Sequence, residues 1–167
     1  KAALAGQPSY PVKINNESIA ELRFAVAGKD LVLDANVVDH KIAQDPVVWK
    51  GSCIEVYGSM PEAKTIGQVM LTPQTDEAPA KAWRANQGNQ EPAPGIRLKT
   101  AKTATGYDLQ ALIPLELLAV DHSKKQILLE FQVIGESAKG KRQYGTVFGS
   151  ARAYQFNQQY GRFLINR

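Results

Sequence analysis

A single cysteine, Cys53, stands among the 167 residues, so the chain can form no internal disulfide and offers no Cys-based zinc site. Histidine is almost as scarce. His40 and His122 each follow an Asp at the end of a predicted element, and neither sits in the spacing of a metal-protease helix. No Ser lies in a G-x-S-x-G context, and nothing in the spacing of the 16 acidic residues marks two of them as a glycosidase pair. Long apolar runs are missing too, none approaching the roughly 18 residues that a membrane-spanning helix needs. Charge of one sign is weak, at +4 net, and the basic residues are scattered. Their densest cluster, Lys139, Lys141 and Arg142, reads as a solvated turn rather than a nucleic-acid footprint. The stretch GESAKGK (135–141) has phosphate-loop spacing. However, Arg142 stands where a Ser or Thr is required, and the next segment reads as strand. Without a helix N-terminus the aligned amides and dipole of a phosphate cradle are absent, so a hairpin turn is expected there. No catalytic constellation emerges.

What the sequence does have is period-2 alternation, the mark of strands with one face in a core. ELRFAVAG (21–28) and LVLDANVVD (31–39) flank a Gly-Lys-Asp turn and read as a hairpin. Further strands are expected at 52–58, 66–72, 96–101, 105–113, 126–135, 142–150 and 160–166. Pro114 ends one of them, and 115–120 reads as a helical turn or two. About nine short strands with close turns predict an all-β fold, a two-sheet antiparallel β-sandwich (jelly-roll or immunoglobulin-like) with one short helix. Alternation places Ile54, Val56, Leu109, Ala111, Ile113, Leu129, Phe131 and Val133 in its core. The segment 73–95, rich in Pro, Ala, Gln and Asn and carrying Trp83, reads as a long mobile loop. The chain as a whole, 1–167, is expected to be one domain. Its start without Met, with Pro8, Tyr10 and Pro11 close behind, suggests a piece of a longer polypeptide. The opening Lys-Ala-Ala-Leu-Ala-Gly is too short to count as a signal.

The informative constellation is WKGSCIEVY (49–57). If Ile54 and Val56 face the core, Cys53, Glu55 and Tyr57 face outward, close to Trp49. In ILLEFQV the same phase leaves Glu130 and Gln132 outside. Carboxylate and amide beside an aromatic ring suit a sugar, whose hydroxyls need hydrogen bonds and whose C–H face stacks on a ring. On these residues alone, a core-plugging Trp49 with a solvated Glu55 is an equal reading.

Nearly the whole chain, however, resembles family 9 carbohydrate-binding modules and the wider DOMON-like sandwich group. The resemblance is carried in order by DLVLDANVVD, VVWKGSCIEVY, TGYDLQALIP, LLEFQVIGES and FNQQYGRFLI. It implies a non-catalytic domain that binds oligo- or polysaccharide between two aromatic rings. Trp49 matches the first ring, Glu55 the carboxylate and Gln132 the amide. Phe148 or Tyr154 stands where the second ring is expected, and Asn157 matches a polar partner beside it. The family often carries Asp where this chain has Ser52, and a basic residue where it has Met70. Calcium is the cofactor the resemblance implies, with no ligand assigned to any residue. It further implies an extracellular or periplasmic location and attached catalytic or surface domains as partners, with neither nucleic acid nor a membrane span involved. The rival reading is a structural or interaction sandwich of the same fold that has lost its sugar site. A haem-binding variant would need Met60 or Met70 paired with a histidine, and no spacing supports that.

Overall fold

The computed structural model describes residues 4–86 and 88–165; the first three residues of the opening hexapeptide and the end of the last predicted strand lie outside it. Local chemistry sets the first strands. β1 (Tyr10–Ile14) turns into β2 (Glu17–Ala27) through Asn15 and Asn16, both at positive φ. Asn tolerates that conformation, and two such residues make the turn whose twist matches paired strands. β2 returns as β3 (Asp30–Val38) through Gly28-Lys29, with Gly28 at φ +63. The remaining strands are β4 (Cys53–Ser59), β5 (Gly67–Thr72), β6 (Lys81–Asn86), β7 (Asn89–Pro92), β8 (Arg97–Lys102), β9 (Gly106–Pro114), β10 (Gln126–Glu136), β11 (Arg142–Thr146) and β12 (Gly161–Leu164).

These strands form two antiparallel sheets, the expected sandwich. One runs β1-β2-β3-β9-β8; the other runs β11-β10-β4-β5-β6-β7, with β12 also paired to β10. Between them lies a core to which Leu22, Phe24, Leu31, Leu33, Tyr107 and Leu109 contribute from the first sheet. All eight residues assigned to the core by alternation are buried there. Each large side chain so buried stabilises the fold by roughly 1.5–3 kcal/mol. The turn after Pro114 is a short 3-10 segment, Leu115–Leu118, closed by Ala119 in the left-handed conformation. It packs so close to β5 that a Cβ on Gly67 would lie 2.1 Å from the Leu118 carbonyl carbon. No side chain fits there. GESAKGK is the β10–β11 hairpin turn, with Gly140 at φ +69 and its amide donating to the Ser137 carbonyl.

The structure corrects three expectations. β1 was not foreseen. The predicted strand 142–150 ends at Thr146, so Phe148 leaves the sheet. Most consequentially, 73–95 is not a structureless loop: it contains the β6–β7 hairpin, which extends the second sheet. Arg84 pairs with Glu91 across that hairpin at 2.8 Å, and Trp83 packs against the cluster of Val48, Cys53, Met70 and Ile134.

Candidate carbohydrate-binding site

β4 is the key element, because it is buried on both faces. Ile54 and Val56 point into the main core, while Cys53, Glu55, Tyr57 and Ser59 point to the outer face of the second sheet. That face is roofed by the segment leading into β4 and the segment between β11 and β12. Glu55 therefore does point outward, yet it is only 3% exposed, not the solvated strand residue that alternation alone would give. Its carboxylate accepts hydrogen bonds from the Tyr57 hydroxyl (2.7 Å), Gln132 Nε2 (2.9 Å) and Gln68 Nε2 (3.1 Å). Register makes this possible: Glu55 sits opposite Gln132 on β10, and Tyr57 sits opposite Gln68 on β5. Burial pushes the Glu55 carboxyl above its ordinary range, against the lowering effect of the Tyr57 and Gln68 hydrogen bonds. Burial likewise raises the Tyr57 hydroxyl, with the adjacent Glu55 adding to it, so it stays a donor.

This group forms the floor of a cleft of about 760 Å³. Trp49, Tyr144 and Tyr154 stand at its sides and keep 42%, 54% and 59% of their surface in solvent. Of the residues proposed from sequence, Trp49, Glu55, Gln132 and Tyr154 meet in this cleft. Phe148 does not. Its ring lies in an edge-on group with Tyr10 (5.7 Å) and Phe163 (5.6 Å), against the main core. Of the two alternatives for a second ring, only Tyr154 faces the cleft. Asn157 is also outside it, donating to Ser59 Oγ (2.8 Å) and the Ala63 carbonyl (2.9 Å). Alternation identified Tyr57 as outward but not as part of the floor. Gln68 and Tyr144 were missed altogether, although strand phase puts Gln68 on the same face as Met70 and Tyr144 on the same face as Ile134.

Residues outside the cleft hold its walls. The Gln90 side chain on β7 accepts from the Val48 amide (3.0 Å) and donates to the Pro46 carbonyl, pinning the turn that presents Trp49. Ser52 Oγ accepts from the Ala43 amide (3.0 Å), tying down the same loop from below. On the opposite wall, the buried Glu130 accepts from the amides of Phe131 (2.8 Å), Phe148 (3.0 Å) and Ser150 (3.1 Å). It fills the gap on β10 between the stretch paired to β12 and the stretch paired to β11. Asn157 and the Tyr160–Ala153 hydrogen bond anchor the segment carrying Tyr154. Among the described residues, no three His, Cys, Asp or Glu side chains gather as a metal centre.

Matches to this architecture are found by shape. A family 9 carbohydrate-binding module from Caldicellulosiruptor kristjanssonii, in complex with cellotriose, matches at a TM-score of 0.64 over 97% of this chain and 84% of its own. The fold is that of a family 9 carbohydrate-binding module. Sequence identity in that match is 17%, and a family 9 module from the same organism in complex with glucose gives 16% at the same TM-score. A candidate carbohydrate-binding protein from Bacteroides uniformis matches at a TM-score of 0.64 and 13% identity, over 96% of this chain and 87% of its own. No family model matches the sequence, and no curated protein does either. No helix among the described residues is long and apolar enough to cross a membrane.

Proposed function

We propose that this chain is a non-catalytic sugar-binding domain whose ligand lies in the cleft over Glu55. The observation that carries the reading is the convergence of three solvent-facing rings on a floor of one carboxylate and two side-chain amides. Rings supply the apolar surface on which a pyranose stacks, and the floor supplies hydrogen-bond groups for its hydroxyls. The likeness to modules that bind cellotriose and glucose supports the same reading. Joined to a catalytic or surface domain of an exported protein, such a module raises the local concentration of its partner on a polysaccharide.

Trp49→Ala is expected to cost about 1–3 kcal/mol of binding, the scale for one large side chain losing its contact. The melting temperature should hardly move, because the ring keeps 42% of its surface in solvent and lies outside the main core. Isothermal titration of wild type and variant with a panel of soluble glycans, beside their melting curves, checks both. Full affinity in Trp49→Ala would remove this cleft as the site. The rival structural-domain reading has one observation in its favour: Tyr57, Gln68 and Gln132 already occupy three acceptor positions of Glu55. A glycan panel with no hit would give that reading first place.

A further inference from the structure

We propose that the cleft selects sugars bearing a free protonated amine, hexosamine units, over neutral and acidic sugars. The inference rests on the sugar-binding reading and adds to it the charge class of the ligand. Glu55 is the one carboxylate lining the cleft among the described residues, and no Lys or Arg lines it. This is a local inversion in a chain of net charge +4. All three donors to Glu55 are neutral groups, so the carboxylate is satisfied in hydrogen bonds but has no counter-charge. Glu55 itself is buried beneath the cleft, and a cation beside it would offset the burial that raises its carboxyl and favour the ionised form more than at an open surface.

The walls favour the same ligand. An ammonium is drawn to aromatic rings, and Trp49, Tyr144 and Tyr154 are three that line one cleft. The amides are also turned the right way. Gln68 and Gln132 each commit Nε2 to Glu55, and among the described residues neither Oε1 accepts a protein hydrogen bond. The floor is therefore rich in free acceptors, and an ammonium brings three donors and no acceptor. A neutral sugar obtains stacking but leaves the charge unanswered. A uronate brings a second anion with no cationic side chain to offset it.

The test is isothermal titration of the chain with four trimers: the glucosamine trimer, its N-acetylated form, cellotriose and trigalacturonate. Buffer of about pH 6 keeps the sugar amine protonated. The glucosamine trimer is expected to bind about tenfold tighter than cellotriose, with trigalacturonate weakest. The preference should shrink as salt screens the charges, and Glu55→Gln should bring the ratio toward one. Equal or tighter binding of cellotriose or of the acetylated trimer would overturn the amine selectivity and leave sugar binding standing. Tight binding of the glucosamine trimer that survives Trp49→Ala would also overturn it, by placing the amine outside the cleft. Failure of all four trimers to bind would overturn both readings.

Discussion

Glu55 shows how strand phase and burial part company. Alternation across WKGSCIEVY put its side chain on the outer face, and the structure agrees; the roof that buries it comes from segments with no periodicity to read. Its stability effect follows from that burial. A carboxyl raised above its unfolded value is neutral more readily in the folded state. The stability tied to that neutral form is fully present below the ordinary value of 4.5 and is lost as pH climbs through the raised folded value. Glu55→Gln removes the titration. Its urea midpoint is therefore expected to exceed wild type at neutral pH, with the two converging near pH 4.5 and below. Glu130 acts through the backbone instead. Its carboxylate satisfies three amides on the outer side of β10, and Glu130→Ala would leave the Phe131, Phe148 and Ser150 N–H groups without that acceptor. A loss of about 3 kcal/mol or more is expected in urea unfolding, at about 1–3 kcal/mol for each buried donor left unpaired. The resemblance offered Phe148 as one candidate for the second ring; the strand ends at Thr146 and that ring instead packs against the main core.

Among the elements, the β6–β7 hairpin was the least legible. Lys81, Arg84, Asn86, Asn89 and Glu91 are polar on both faces, as an edge hairpin with little core beneath it permits, so no apolar alternation marks it. β2, β3, β9 and β10 were legible because each lays a full face on the core. Yet it is β7 that positions Trp49, through Gln90. Gln90→Ala is expected to weaken sugar binding by about 1 kcal/mol without touching the ligand, the usual net worth of a hydrogen bond. Faster hydrogen exchange at the Val48 amide would separate this positioning role from a general loss of stability. Unchanged affinity and exchange would show that the Trp49 turn holds itself.

At the scale of the molecule, the sandwich and its central pairing were readable because a shift of one residue would expose a whole face. The cleft was only half readable. Its floor lies on strands whose phase is fixed, whereas its walls are loops placed by side-chain hydrogen bonds such as those of Gln90, Glu130 and Asn157, which carry no period. The Glu55–Gln132 contact joins residues 77 apart in the chain, and Tyr154 comes later still. Such distant pairings close late, after their loop entropy has been met. Binding competence is therefore a property of the finished chain. On refolding from urea, recovery of a bound glycan signal should trail recovery of strand circular dichroism, and equal rates would show that β4 and β10 meet early. During synthesis the same geometry acts as a proofreading gate. No truncated product that stops short of the β11–β12 connection holds both walls, so on the proposed reading incomplete chains would not compete with finished ones for a glycan.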